Sequence, residues 1–173
     1  DIKAFKPSVL LVVPRVLEKV YNAASSKAGG GIKGRMFAWS AKQARAYSLA
    51  SEKTFGPGPF KKIRHGIADA LVLKKIRSIL GPNLRYIVSG GAPLATDLAH
   101  FYAGMGITLI QGYGLSETTG PIAVQHIGKN PVGGVGLPLP GNFIKIAKDG
   151  EILVRGQSVM PGYYHLPEQT AEV

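Results

Sequence analysis

Apolar residues along the first 80 positions form one short run followed by three longer amphipathic stretches. The run at 8–13 is rich in β-branched residues, which predicts a short strand buried on both faces in a parallel sheet. Pro14 ends this run and suits the first turn of a helix. Helical spacing of apolar residues then predicts three helices, at about 15–27, 35–53 and 61–80.

Two side chains within these helices invite a functional interpretation. Trp39, the single tryptophan, is predicted to pack in the core, because helical apolar stripes mostly do so. His65 lies among Lys61, Lys62 and Arg64 without a second metal-ligating residue nearby, so we predict a surface position for it.

The next segment predicts a strand at 84–89, a helix at 94–104 with Thr96 as its N-cap, and a strand at 107–110. A strand, a helix and a strand in this order form a βαβ unit with parallel strands. In such a sheet, ligands bind at the loops beyond the carboxyl ends of the strands. The loops that follow the two strands are therefore expected to meet at one edge of the sheet.

Beyond residue 121 the pattern changes to short alternating segments separated by glycine and proline. Segments at 143–146 and 151–154 flank Lys148-Asp149-Gly150, which predicts a β-hairpin. We predict one α/β domain in two portions: a partial parallel sheet with flanking helices at 1–121, and a β-rich, barrel-like module or small sheet at 122–173.

Composition narrows the class of protein. With 45% hydrophobic and 18% charged residues, the chain of 173 residues has a globular composition. It has no cysteine, which excludes a disulfide framework and cysteine-based zinc sites or nucleophiles. This absence of cysteine fits a cytoplasmic location, which we expect, with peripheral membrane contact as a variant. No apolar run approaches the length of a membrane span, and the opening residues lack a signal-peptide core. Because the chain lacks an initiator Met, we expect it to begin inside a longer gene product.

The positive charge is concentrated in the first half of the chain. Residues 1–85 contain 17 Lys and Arg against four Asp and Glu, whereas residues 86–173 contain four against six. This basic half of the chain would suit an anionic partner, for example a membrane surface, nucleic acid or a phosphate-rich cofactor. Solvated helix faces explain the same charges.

Candidate chemistry lies in two glycine-containing loops, at 89–93 and 111–118, which the predicted topology brings to the same sheet edge. The second loop carries an aromatic ring, hydroxyl groups and one carboxylate, Glu117. Glycine lets backbone N–H groups approach a ligand, and a carboxylate beside phosphate oxygens suits Mg²⁺. A nucleotide-phosphate site and a polar turn capped by Ser116 both explain this loop on spacing alone.

Four segments, in order along the chain, resemble motifs of the adenylate-forming enzymes, and within them the long-chain fatty acyl-CoA synthetases. The diagnostic one is Gln-Gly-Tyr-Gly-Leu-Ser-Glu-Thr at 111–118. The others lie at 13–19, 89–94 and 150–156, the last continued by 160–164 and 168–170. The basic insert at 28–83 favours the long-chain acyl branch. The family's usual Thr is Ser116 here, and the hydroxyl group is retained.

The resemblance implies part of the large AMP-binding domain of a ligase that uses ATP, Mg²⁺ and coenzyme A to activate a long-chain fatty acid. In it, Ser116 and Glu117 are the catalytic residues: Ser116 donates to phosphate and Glu117 helps hold Mg²⁺. Tyr113 packs on the adenine ring, while Gly91 and Ala92 approach it through their backbone. The implied nucleotide-binding residues are Gly90, Gly91, Ala92, Pro93, Gln111, Gly112, Tyr113, Gly114, Leu115, Ser116 and Thr118.

Several elements that the family pattern leads us to expect have no counterpart in these 173 residues. They are a Gly/Ser/Thr-rich phosphate loop with its lysine, a Thr-Gly-Asp segment for the ribose, and the mobile C-terminal domain. We therefore expect an internal piece of the large domain that is inactive by itself.

Two rival interpretations remain open. One is an enzyme that stops at the acyl-adenylate, or that activates another acid. The other is a non-enzymatic basic module that binds nucleic acid or membrane, although no zinc spacing or RNA-binding aromatic motif supports nucleic acid. A peripheral contact with anionic membrane is compatible with a ligase. The residues expected to face lipid are drawn from Lys53, Lys61, Lys62, Arg64, Lys74 and Lys75.

Overall fold

The computed structural model describes residues 5–128 and 131–172. The first sheet has five strands in the order β1-β2-β3-β4-β5, and a second sheet pairs β6 with β7. The strands are β1 (Val9–Val12), β2 (Tyr86–Ser89), β3 (Thr108–Leu115), β4 (Gly120–Val124), β5 (Leu137–Pro138), β6 (Asn142–Ile146) and β7 (Ile152–Gly156). The α-helices are α1 (Pro14–Ala28), α2 (Gly31–Ser51), α3 (Pro59–Ala68), α4 (Lys74–Leu80), α5 (Thr96–Gly104) and α6 (Pro167–Ala171).

Strands β1, β2 and β3 are parallel, as the βαβ pattern predicts. Val12 pairs with Ser89, and Ser89 pairs with Gln111, so the carboxyl ends of β1 and β2 lie level with the middle of β3. The sheet is mixed rather than parallel, because β3 runs on to Leu115 and pairs antiparallel with β4. The prediction of a loop from Gln111 onward is therefore wrong for its first half, which is a strand.

Strand β1 differs from the prediction of a strand buried on both faces. Val9 is 53% exposed and Leu11 is 77% exposed. Within the described residues, β1 has a neighbouring strand on one side only and exposes alternate residues. Its partner β2 alternates in the same way but fully buries Ile87.

The core lies between the helices and the parallel strands. It joins Leu17 of α1, Phe37 and Ala44 of α2, Leu98 of α5 and Ile87 of β2. Helices α2 and α5 approach closely, because Gly104 lies against the Ala44 backbone, where a Cβ atom would overlap it. Trp39 packs against this core with its side chain half-buried, as predicted.

The predicted third helix is one helical segment interrupted by a π-helical turn at Asp69–Leu73, between α3 and α4. Arg77 donates to both carboxylate oxygens of Asp69 and, at 2.7 Å, to the Met105 carbonyl oxygen. The hydrogen bond from Arg77 holds the pKa of Asp69 below its ordinary value. The turn thereby links the basic helices to the end of α5.

Two predictions about single side chains need comment. His65 is half-buried, and it has partners that the prediction of a surface position did not include: its Nε2 donates to the Gly104 carbonyl oxygen at 2.6 Å, and its ring stacks on Tyr47. Thr96 is the first residue of α5 rather than its N-cap, and no side chain caps that helix. Local spacing did not indicate the His65 contacts, because they depend on how α3 meets α2 and the end of α5.

The β-rich part contains the predicted hairpin, with Ile144 of β6 opposite Val154 of β7. Within the described residues it forms a two-stranded sheet and no barrel. The five-stranded sheet continues beyond residue 121 through β4 and β5. The outer limits of the two predicted portions, residues 1 and 173, lie outside the described residues. None of the described helices is long and apolar enough to cross a bilayer.

Candidate functional site

A cavity of about 330 Å³ lies at the carboxyl edge of β2, between the loop after that strand and the second half of β3. Its volume is within the range of small-molecule sites. Most of the predicted nucleotide-binding residues line it: Gly91, Ala92, Pro93, Gln111, Gly112, Tyr113, Gly114 and Leu115. Four of the predicted residues do not line the cavity: Gly90, Ser116, Glu117 and Thr118. Of these, Gly90 and Ser116 are direct sequence neighbours of lining residues.

Gln111 joins the cavity to the core of the sheet. Its backbone N–H donates to Gln125 Oε1 at 2.9 Å, and its carbonyl accepts from the Gln125 backbone N–H at 2.9 Å. The side chain is only 5% exposed, yet its amide nitrogen finds no hydrogen-bond partner among the described residues. An unpartnered buried donor is costly, and no described residue compensates this one.

The glycines of the site are suited to their positions for different physical reasons. A Cβ atom on Gly114 would overlap the Gly120 carbonyl group and lie 2.7 Å from the Pro121 Cα, so this glycine permits β4 to approach. Gly91 has a φ of +78°, in the left-handed region that favours glycine. A Cβ atom added at Gly112 would lie at ordinary contact distance from the Ala123 carbonyl oxygen. Gly112 also lines the cavity.

A 3₁₀ turn at Ser116–Thr118 follows β3 and holds the remaining predicted residues. Thr118 is 3% exposed, and its hydroxyl accepts from the Leu115 N–H at 2.8 Å while lying within donating distance of the Leu115 and Gly120 carbonyl oxygens. This hydroxyl therefore closes the turn. Ser116 is exposed and Glu117 half-buried.

The segment 156–164, after β7, docks onto this turn. Met160 donates its backbone N–H to the Glu117 carbonyl oxygen at 2.8 Å, and Thr119 donates its hydroxyl to the Ser158 carbonyl oxygen at 2.9 Å. Tyr163 donates its hydroxyl to Glu117 Oε1 at 2.6 Å. This hydrogen bond holds the pKa of Glu117 below its ordinary value and raises that of Tyr163, because it favours the carboxylate and the protonated phenol.

The donor set fits a hard cation held jointly with phosphate. The described residues contain no group of three or more His, Cys, Asp and Glu side chains that would hold a metal by themselves. Glu117 offers one ionised carboxylate beside the exposed hydroxyl of Ser116. Mg²⁺ is commonly bound by one or two carboxylates, with water and substrate phosphates as its other ligands.

Four residues of the site had no role assigned from the sequence. Leu94, Gly133 and Val135 complete the cavity lining, and Tyr163 donates to the carboxylate of Glu117. The density of glycine at 132–141 was a usable signal for Gly133, whose φ is +99°. Tyr163 lies in the family-like segment 160–164, but no local pattern indicates its contact with Glu117, because that partner lies 46 residues earlier in the chain.

Comparisons of sequence match the whole length of the chain. A family model described as "AMP-binding enzyme" matches residues 1–164. A long-chain-fatty-acid–CoA ligase of Mycobacterium bovis is 48% identical over 168 residues, which cover 97% of this chain and 28% of that relative. Long chain acyl-CoA synthetase 8 of Arabidopsis thaliana is 34% identical over 190 residues, covering 100% and 26%. The chain thus spans little more than a quarter of either relative.

Solved structures share the fold. The A domain of a carboxylic acid reductase from Segniliparus rugosus, solved with AMP and a co-purified carboxylic acid, has a TM-score of 0.57 and 22% identity, covering 100% of this chain and 24% of that chain. The anthranilate CoA ligase AuaEII has a TM-score of 0.55 and 16% identity, covering 99% and 26%. The mixed sheet with flanking helices is the arrangement found in the large domain of adenylate-forming enzymes. With the family model matched over residues 1–164, the chain belongs to the AMP-binding enzymes.

Proposed function

We propose that this chain supplies part of the nucleotide site of an ATP-dependent long-chain fatty acid–CoA ligase. The observation that carries the proposal is the cavity at the carboxyl edge of β2, which both predicted glycine segments line. The names of the two relatives, a long-chain-fatty-acid–CoA ligase and a long chain acyl-CoA synthetase, support the acyl branch.

In the proposed reaction, a fatty acid carboxylate attacks the α-phosphorus of ATP and pyrophosphate leaves. The CoA thiol then attacks the acyl carbonyl carbon, and AMP leaves. Tyr113, half-buried in the cavity wall, offers its ring to the adenine base, and the backbone at Gly91 and Ala92 passes along the edge of that base.

Glu117 and Ser116 are proposed to serve the phosphate end of the nucleotide. The Ser116 hydroxyl would donate to phosphate, and the carboxylate of Glu117 would hold Mg²⁺. The metal ion supplies neutralisation of the charge that develops on the phosphate oxygens. Thr118 is proposed to act indirectly, since its hydroxyl is engaged within the turn.

The experiment that tests this function uses the full-length gene product with ATP, Mg²⁺, palmitate and CoA. We expect palmitoyl-CoA and AMP in equal amounts, both dependent on all four components. Release of pyrophosphate without a thioester would instead indicate an acyl-AMP ligase. Absence of any palmitate-dependent pyrophosphate release would contradict activation of a long-chain fatty acid.

We further propose that the full-length protein touches anionic membranes through the start of α3 and the loop before it. Phe55 is 99% exposed and Phe60 is 75% exposed. Lys53, Lys61 and Lys62 beside them are exposed as well. Exposed aromatic rings among basic side chains are typical of a surface that binds the membrane interface. Between residues 30 and 68 the sequence has eight Lys and Arg and one acidic residue, Glu52.

Vesicle flotation tests this contact. The double substitution Phe60→Ser with Lys61→Glu is expected to weaken partition onto anionic vesicles about 10-fold or more, since each basic residue near such a surface contributes about 1 kcal/mol. The matched control is Phe143→Ser with Lys145→Glu on the exposed face of β6, which should leave partition unchanged. Equal binding of the unmodified protein to neutral and anionic vesicles would remove the electrostatic basis.

A further inference from the structure

Tyr163 connects two segments that are far apart in the chain. Its hydroxyl donates to Glu117 Oε1 at 2.6 Å, across 46 residues of sequence. Both residues are partly exposed. A hydrogen bond to an ionised carboxylate is about twice as strong as a bond between neutral groups.

The backbone around Tyr163 is itself fixed. Its N–H donates to Thr170 Oγ1 at 2.9 Å, and that hydroxyl donates to the Leu166 carbonyl oxygen at 2.8 Å. Gly162 lies so close to Thr170 that a Cβ atom there would come within 2.6 Å of the Thr170 methyl group. The phenol is therefore presented to Glu117 from a backbone that α6 holds in place.

Orientation of the Glu117 carboxylate would matter for a cation bound at this turn. The described residues contain no cluster of three or more metal-ligating side chains, so much of the coordination of such a cation would fall to the nucleotide and to water. Mg²⁺ demands near-ideal octahedral geometry. Groups that hydrogen-bond to a ligating carboxylate typically change metal affinity by about 10- to 100-fold.

We infer that Tyr163 is a positioning residue that fixes the Glu117 carboxylate for the divalent cation of the bound nucleotide. Its hydroxyl donates to Oε1 and restricts rotation of the carboxylate, which would help to hold that group in place for the cation. The inference rests on the proposed role of Glu117, and it assigns a function to a side chain outside the glycine segments.

Binding of Mn²⁺, used in place of Mg²⁺ as a paramagnetic probe, tests the inference in the full-length protein with ATP present. Tyr163→Phe is expected to weaken Mn²⁺ binding about 10- to 100-fold, while ATP binding in EDTA stays unchanged. The matched control is Tyr164→Phe, because Tyr164 is 87% exposed and removal of its hydroxyl should alter neither value. In turnover, Tyr163→Phe should raise the Mg²⁺ concentration for half-maximal rate far more than it lowers kcat.

A double-mutant cycle separates this inference from the proposed function. Glu117→Gln alone should weaken Mn²⁺ binding, and Tyr163→Phe in that background should weaken it no further. Unchanged Mn²⁺ binding in Glu117→Gln would overturn the role of Glu117. Weakened binding in Glu117→Gln together with wild-type binding in Tyr163→Phe would overturn only the positioning role. Equal losses of metal-free ATP binding and Mn²⁺ binding in Tyr163→Phe would overturn it too, since they indicate a general structural effect.

Discussion

Substitution of Glu117 by Gln in the full-length protein is expected to lower palmitate-dependent ATP–pyrophosphate exchange by about 10²- to 10³-fold. The change keeps the size and shape of the side chain but removes the negative charge that Tyr163 stabilises. Without that charge, a cation that neutralises the phosphate oxygens would lose the carboxylate ligand proposed for it.

Glu151→Gln is the matched control for this exchange assay. Glu151 is exposed beside the β6–β7 turn and outside the cavity lining. Its substitution should leave the rate within about twofold, as surface changes away from a site usually do. If Glu117→Gln catalyses ATP–pyrophosphate exchange at the wild-type rate, the carboxylate has only a structural role, as a link to residues 160–163.

Gly114→Ala is expected to disrupt the pairing of β3 with β4. The added Cβ atom would overlap the Gly120 carbonyl group, which is backbone and has no rotamer by which to move aside. Overpacking of this kind costs about 1–3 kcal/mol or more. Hydrogen exchange at the β3–β4 amide groups should therefore accelerate by about 10- to 100-fold in the full-length protein.

Gly112→Ala provides the comparison on the same strand. Its Cβ atom would meet the Ala123 carbonyl oxygen at 3.5 Å and the Val124 side chain at 3.6 Å, which are ordinary contacts. The rate of hydrogen exchange at the same amide groups should then change by less than about threefold, as expected when the local opening free energy changes by less than about 0.7 kcal/mol. Equal acceleration in both variants would contradict the assignment of Gly114 to close strand packing.

The position of the cavity followed from a rule of topology that sequence can supply. Strand, helix and strand at 84–110 imply parallel neighbours, whose carboxyl ends meet at one edge. The loop after β2 and the residues from Gln111 onward therefore had to lie close together, and they line one cavity. This part of the prediction needed no knowledge of any long-range contact.

The function of Gly114 was harder to predict, because glycine near a ligand and glycine near a second backbone look the same in sequence. The apolar run ends at Ile110, so the residues after it were interpreted as a loop. In the structure they continue β3, and β4 returns along them with a register shift between Tyr113 and Gly114. The antiparallel partner begins only five residues after the strand ends, after a 3₁₀ turn that carried no strand pattern.

Contacts between distant segments account for the other differences. Tyr163 meets Glu117, and His65 meets the Gly104 carbonyl oxygen, through packing between elements that are 46 and 39 residues apart. Exposure of Leu11 depends on what lies beside β1, which its own β-branched composition does not specify. Periodicity reports which face of an element is apolar, but not what that face meets.

The central claim is that the cavity between the loop after β2 and the second half of β3 binds the adenine nucleotide. Photolabelling of the full-length protein with 8-azidoadenosine triphosphate tests it most directly. All predicted contact residues lie in a single tryptic fragment, 86–129, because no Lys or Arg occurs between Arg85 and Lys129. We predict that label lost on addition of excess ATP maps to this fragment, at 90–93 or 111–115. ATP-protected label confined to other fragments, with 86–129 unlabelled, would contradict the account.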